Sequence, residues 1–192
     1  MSQHAVIPVA PTTPKRVVMF TFDGASSLDT VGPVDVLAGA RVAFPSWDPV
    51  YDIDLVSLHG GLVSTTPSGM KLDTMAVSDV PDGPIDLLLV AGGETADAVA
   101  RDLAMQAAVQ TLAVRADCVA SICTGAFLLA AAGLLSGRKA TTHWRWSEQL
   151  QADYPDVQVD AVQHVGAPLV GEAQVAHHEL PARVVEVPLP GL

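Results

Sequence analysis

The chain has 192 residues, of which 49% are hydrophobic and 16% charged, and its formal net charge at pH 7 is −11. This length suits one hydrophobic core and leaves too little chain for a second full domain. The acidic balance argues against non-specific binding to nucleic acid or to an anionic membrane surface. No stretch offers the roughly 20 consecutive apolar residues that a membrane-spanning helix needs.

The N-terminal segment and the cysteine count indicate a cytoplasmic protein. Residues 1–15 do not place an apolar run after a charged start, so we interpret them as a disordered leader and not as a secretory signal. Because the chain has only two cysteines, a disulfide framework is not expected. A reduced, cytoplasmic environment fits this composition.

The first half of the chain alternates apolar runs with helical spacing. A continuous apolar run over Val17–Phe22 predicts a buried first strand. Apolar residues at helical spacing predict a helix over Leu28–Val42, with Pro33 near its start. Three further β segments follow at Tyr51–Leu58, Leu62–Thr66 and Met70–Thr74, the last two as a hairpin-like pair.

In the second half of the chain, predicted strands and helices continue to alternate as far as residue 160. The predicted strands are Asp86–Val90, Cys118–Ile122, Ala140–Thr142 and Val157–Val159. The predicted helices are Thr95–Arg115, Ala126–Leu134 and Arg145–Asp153. Strands alternating with helices predict an α/β domain over residues 16–160 with a mostly parallel, doubly wound sheet. Residues 161–192 break this order, so we treat them as an atypical tail without an assigned helix or strand.

Cys123 lies at the most informative turn in the sequence. A strand ends at Ile122, and small residues allow the next helix to begin directly after Cys123. This pattern is similar to the nucleophile elbow of hydrolases, with cysteine in place of serine. A helix N-terminus beside the sulfur predicts a lowered thiol pKa and a reactive thiolate. The alternative is a buried structural thiol, the role that we assign to Cys118.

Gly92 and Gly93 follow another buried strand and can bring backbone N–H groups close to a ligand. The N–H groups of Gly93 and Thr124 would then stabilise a developing oxyanion. The alternative for the two glycines is an ordinary loop.

Two titratable side chains are further candidates. His143 follows Cys123 by 20 residues and can return to the same sheet edge as a base. The alternative is a hydrogen-bonded structural histidine. From the residues alone, Asp29 near the start of the first helix is interpreted as a partner of the helix dipole and nothing more. The tail residues His177, His178, Glu172 and Glu179 lack metal-ligand spacing, so no metal site is predicted.

Four motifs in the same order resemble the ThiJ/PfpI superfamily, a group of class I glutamine amidotransferase-like folds. They are Phe22–Pro33, Leu89–Gly93 (with Ala91 where the family usually has proline), Ser121–Gly137 and Thr141–Trp144. The resemblance implies a flavodoxin-like three-layer sandwich, a homodimer, and no metal or other cofactor. It further implies that Asp29 contacts the sulfur of Cys123, that His143 lies near both, and that Gly93 and Thr124 line a small pocket.

Within the superfamily, the segment Cys123–Trp144 is most similar to the N-terminal half of GlxA-type regulators of the AraC family. Our first hypothesis is therefore a small-molecule-sensing domain that lacks the helix-turn-helix and does not itself bind nucleic acid. Because residues 161–192 do not resemble the corresponding part of these regulators, we expect a truncated or frame-shifted reading of a longer gene.

Two other hypotheses use the same cysteine. The segment is also similar to isocyanide hydratase, so the alternative function is an enzyme in which Cys123 attacks a small electrophile and Asp29 moves a proton. The third hypothesis is a redox-responsive or chaperone-like protein in which Cys123 oxidises to a sulfinic acid that Asp29 stabilises.

Overall fold

A seven-stranded, mostly parallel sheet forms the centre of the computed structural model, which describes residues 13–41, 47–160 and 173–176. In chain order the strands are β1 (Lys15–Phe20), β2 (Tyr51–Ser57), β3 (His59–Ser64), β4 (Lys71–Ala76), β5 (Ile85–Val90), β6 (Ala116–Ile122), β7 (Lys139–Ala140), β8 (Gln158–Val159) and β9 (Ala173–Ala176). The order in the large sheet is β3-β4-β2-β1-β5-β6-β9, and β7 pairs with β8 in a separate parallel ribbon. Strands β3 and β9 are antiparallel to their neighbours.

Helices cover both faces of this sheet. They are α1 (Ser27–Gly39), α2 (Ala96–Val99), α3 (Leu103–Ala113), α4 (Ala126–Ala131) and α5 (Ser147–Asp153). Helix α1 joins β1 to β2, whereas α2 and α3 join β5 to β6, and the two crossovers run in opposite directions along the sheet. Because such crossovers are right-handed, α1 and α3 lie on opposite faces. The predicted flavodoxin-like three-layer sandwich is confirmed.

The core lies where the central strands meet the helices. Val17, Val18, Met19 and Phe20 of β1 are completely buried. A strand covered on both faces needs such a continuous apolar run, which is why the run predicted β1 correctly. No helix in the described ranges is long and apolar enough to cross a membrane.

The predicted elements agree with the structure to within a few residues at their ends, except at two places. The single helix predicted over Thr95–Arg115 is wrong, because α2 ends at Val99 and α3 begins at Leu103. Asp102 causes the break: its carboxylate accepts a hydrogen bond from the N–H of Ala104 and caps α3. The predicted hairpin pair is confirmed, with β3 antiparallel to β4.

The second correction concerns the tail. We assigned no strand to residues 161–192, but β9 lies within them and pairs antiparallel with β6, Val119 opposite Ala176 and Ile122 opposite Ala173. The other tail residues, including His177, lie outside the described part of the chain. Of the predicted leader, only residues 13–15 are described, and Lys15 already begins β1.

The order of the strands indicates where a ligand-binding site lies. Strand β1 pairs with β2 on one side and with β5 on the other, so the chain order reverses beside β1. In open α/β sheets, ligands bind beyond the carboxyl ends of strands at such a reversal. The segments that follow β1, β5 and β6 carry Asp29, Gly92 and Cys123, respectively.

Candidate active site

Cys123 occupies a strained backbone conformation at the end of β6. Its φ is +53°, in the left-handed region, and it opens a 3₁₀ turn, Cys123–Gly125, that leads into α4. For a residue with a side chain this conformation costs about 1–2 kcal/mol. Such strain persists only where the surroundings determine the conformation. The predicted elbow is therefore present, with a half-buried sulfur-bearing residue at its apex.

Gly125 lets the elbow lie close against the end of β5. A Cβ atom on Gly125 would come within 2.5 Å of the carbonyl oxygen of Val90 and 2.8 Å of that of Ala91. Both distances are far shorter than a carbon–oxygen contact allows. Only glycine can therefore occupy this position without moving the elbow away from β5.

Thr124 ties the elbow to the two-glycine turn after β5. Its hydroxyl oxygen accepts a hydrogen bond from the N–H of Gly93 at 2.8 Å and donates one to the carbonyl of Gly93 at 2.7 Å. The N–H of Gly93 is thus already bonded, and the predicted oxyanion role for that N–H is not available in this arrangement. The N–H of Thr124 instead acts on the thiol of Cys123, whose pKa it lowers.

Asp29 reaches the elbow from the first turn of α1. Its Oδ1 accepts a hydrogen bond of 3.1 Å from the hydroxyl of Ser26, the N-cap residue of the helix. Its Oδ2 is buried, and no N–H or O–H group of the described residues donates to it. The thiol of Cys123 lies close enough to this carboxyl for each group to shift the pKa of the other. The structure therefore brings together Asp29 and Cys123, as the family resemblance implied.

The carboxyl of Asp29 and the thiol of Cys123 both have a higher pKa than the same side chains in water. Burial raises the pKa of Asp29, although the hydrogen bond from Ser26, the neighbouring thiol of Cys123 and the charge of His143 oppose the shift. Burial, followed by the negative charge of Asp29, raises the pKa of the Cys123 thiol to about 11. The predicted lowering of this pKa is wrong because both effects outweigh the N–H and hydroxyl of Thr124. The thiol is thus protonated at neutral pH and has an adjacent carboxyl to receive its proton.

His143 lies beside the site but is not hydrogen-bonded into it. Its Nδ1 accepts a hydrogen bond of 3.3 Å from the N–H of Arg145, and its ring stacks on Trp144 with centroids 5.5 Å apart. Across the described chain segments, no hydrogen bond joins His143 to Cys123 or to Asp29. The imidazole acts on Asp29 through its charge. Its role as a base stays a prediction.

Gly92 faces the contact between the carboxyl and the elbow. A Cβ atom at this position would lie 2.7 Å from both Asp29 Oδ2 and the Thr124 nitrogen, and 2.6 Å from the Ile122 carbonyl oxygen. A side chain here would occupy the space in which the two reactive groups meet. This close approach explains why a glycine stands at the carboxyl end of β5.

We expect Gly92→Ala to lower the free energy of unfolding by about 1–3 kcal/mol, because the new methyl group overpacks a closed site. Urea denaturation measures the change. Gly39→Ala is the matched control, since a Cβ there meets nothing within 4 Å. Alanine at this helical position should leave stability unchanged or slightly higher. Equal stability of the two variants would contradict the close packing around Gly92.

Sequence reasoning missed two residues that position the site. Ser26 and Asp29 match a serine-x-x-acid capping pattern, so a search for helix starts could have found Ser26. Thr142 donates a hydrogen bond of 3.0 Å to the carbonyl of Cys123. No local pattern predicts that contact, because the two residues come from different segments. Among the described residues, no group of three or more His, Cys, Asp or Glu side chains could hold a metal ion.

Known proteins share this arrangement of elements. A sequence model of the DJ-1/PfpI family matches residues 15–174. A crystal structure of a ThiJ/PfpI family protein from Pseudomonas syringae superposes with a TM-score of 0.64 at 25% identity, covering 83% of this chain and 64% of that chain.

The chain is similar to three curated proteins and covers a different fraction of the length of each. The uncharacterized protein in the cpoL 5′ region of Streptomyces lividans is 40% identical over 144 residues, which cover 74% of this chain and 96% of that protein. Isonitrile hydratase of Pseudomonas putida is 34% identical over 137 residues, covering 70% of this chain and 55% of the hydratase. The HTH-type transcriptional regulator GlxA of Rhizobium meliloti is 29% identical over 131 residues, covering 68% of this chain and 37% of the regulator.

Proposed function

Because the chain belongs to the DJ-1/PfpI family, we propose that it is a cysteine-dependent enzyme that hydrates a small electrophilic carbon of the isocyanide type. The observation that carries this proposal is the buried carboxyl oxygen of Asp29 beside the thiol of Cys123 at a strained elbow. The 34% identity to an isonitrile hydratase supports the choice of substrate class.

In the first step, the sulfur of Cys123 attacks the terminal carbon of the isocyanide while its proton moves to the carboxylate of Asp29. Asp29 then gives this proton to the same carbon. The S–H group has thereby added across the carbon, leaving a thioimidate with a new carbon–sulfur bond. The N–H of Thr124 lowers the pKa of the thiol, so it can stabilise negative charge on the sulfur as the proton leaves.

In the second step, water adds to the thioimidate: its oxygen bonds to the carbon and one of its protons goes to the substrate nitrogen. The carbon–sulfur bond then breaks as the carbonyl forms. Asp29 carries the remaining hydroxyl proton to the departing sulfur. The product is an N-substituted formamide, and both side chains return to their starting protonation states.

Formation of this product tests the proposal. Incubation of the full chain with a small aliphatic isocyanide should give the corresponding formamide, detected by liquid chromatography and mass spectrometry. Cys118→Ala is the matched control and should keep full turnover, because Cys118 lies within β6, away from the elbow. No formamide from the full chain with a panel of linear, branched and aromatic isocyanides would refute the enzymatic function.

A ligand-sensing domain is the second candidate, favoured by the 29% identity to GlxA. In this role Cys123 and Asp29 would hold a small molecule without releasing a product, within a cytoplasmic homodimer whose acidic chain does not contact nucleic acid directly. Isothermal titration calorimetry separates the two roles: saturable, reversible binding with no product supports the sensor. Oxidation of Cys123 to a sulfinic acid stays a prediction.

A further inference from the structure

Thr142 connects the elbow to a distant part of the chain. Its side chain is buried (3% exposed), and its hydroxyl donates a hydrogen bond of 3.0 Å to the backbone carbonyl of Cys123. Thr142 follows β7, which pairs with β8 through Lys139 opposite Gln158 and Ala140 opposite Val159. The pairing of β7 with β8 thus positions the segment that carries Thr142.

The strained conformation of Cys123 gives this contact a structural role. A cysteine at φ +53° would relax toward negative φ if its neighbouring peptides were free to rotate. Thr124 and Gly125 fasten the peptides after the cysteine against β5. The carbonyl of Cys123 itself is held by the hydroxyl of Thr142. A rotation of this peptide would move the sulfur relative to Asp29.

We propose that Thr142 is a positioning residue that locks the peptide of Cys123 and thereby keeps the sulfur beside the Asp29 carboxyl and the Thr124 N–H. Its effect on turnover rests on the proposed enzymatic function. Its effect on the position of the sulfur is independent of that function, because the reactivity of the thiol can be measured without any substrate.

The test combines three variants with two readouts. Thr142→Val replaces the hydroxyl with a methyl group of similar size, Thr142→Ala removes it without adding volume, and Thr142→Ser retains it. The first readout is the rate of Cys123 alkylation by iodoacetamide as a function of pH, located by peptide mass spectrometry. The second is kcat and KM for formamide formation.

In the valine and alanine variants, we expect the midpoint of the alkylation profile to fall from the pKa of about 11 toward the ordinary thiol value. The reason is that the freed sulfur leaves the carboxylate and gains water. We expect kcat to fall about tenfold, as for the loss of one buried hydrogen bond, with a smaller change in KM. The serine variant should restore both. The alanine variant also provides the readout if the valine variant does not fold.

Thr74→Val is the matched control. Thr74 is a buried threonine of β4 whose hydroxyl donates to the carbonyl of Gly61 at 2.7 Å, far along the sheet from Cys123. Its loss should lower stability but leave the alkylation profile unchanged. An unchanged profile in Thr142→Val and Thr142→Ala would overturn the proposal. If the unmodified chain shows no turnover, the enzymatic function fails, while the alkylation profiles still decide the role of Thr142.

Discussion

Replacing Cys123 with alanine is expected to lower isocyanide turnover by a factor on the order of 10⁴ or more, as removal of a catalytic nucleophile does. Without the sulfur no thioimidate can form, and Asp29 has no proton to transfer to the carbon. Steady-state measurement of formamide formation gives kcat/KM for both proteins. Alanine has the same backbone restriction at φ +53°, so the fold and the strain are retained.

The interpretation of this loss depends on the second cysteine. Cys118→Ala should leave kcat/KM within a factor of about two, because a tenfold loss needs about 1.4 kcal/mol of transition-state stabilisation and Cys118 takes no part in either proposed step. Alkylation by iodoacetamide should add one label fewer to Cys123→Ala than to the parent chain. Full turnover in Cys123→Ala would exclude the thiol as nucleophile, and with it both steps proposed above.

The strands, the elbow and the family follow from the sequence because each rests on local information. Buried parallel strands are continuous apolar runs, and β1 and β6 were therefore predicted to within about two residues. Four motifs in order identified the family, and the match over residues 15–174 confirms it. The contact between Asp29 and Cys123 came only from that resemblance, since nothing local connects a residue of α1 with one after β6.

Features that depend on tertiary contacts could not be predicted in this way. The thiol pKa was predicted in the wrong direction because the helix after the cysteine is visible in the sequence, whereas the burial and the neighbouring carboxylate are not. The N–H of Gly93 was interpreted as a free donor, but the hydroxyl of Thr124 accepts its hydrogen bond. Strand β9 is short and pairs only at the sheet edge, so its pattern does not distinguish it from a loop.

Replacing Asp29 with asparagine is expected to separate proton transfer from thiol ionisation. Turnover should fall about 10²–10⁴-fold, because asparagine cannot accept or deliver a proton. The pKa of Cys123 should fall below about 11 at the same time, since a negative charge that raises it is removed. Iodoacetamide should therefore alkylate Cys123 faster at pH 8 in this variant although catalysis is lost. In the parent chain, turnover should rise with ionisation of Asp29, with a midpoint above the ordinary carboxyl pKa of 3.8.

The same substitution should stabilise the fold at neutral pH. The pKa of Asp29 is raised in the folded state, so the carboxylate is less favourable there than in the unfolded chain, and stability falls as pH rises through the folded pKa. Asparagine removes that cost and keeps an acceptor for Ser26, so Tm at pH 7 should rise by about 2–4 °C for each kcal/mol recovered. The gain should vanish below pH 3.8, where the parent carboxyl is protonated in both states.

Asp35→Asn provides the control for both effects, because Asp35 lies on the same helix but is exposed to solvent. It should change neither turnover nor the alkylation rate of Cys123. If Asp29→Asn alkylates at the parent rate and has the parent Tm, the carboxyl does not control the sulfur. Turnover of Asp29→Asn at the parent level would show separately that the carboxyl takes no part in proton transfer, because proton transfer is measured by formamide formation and not by alkylation or Tm.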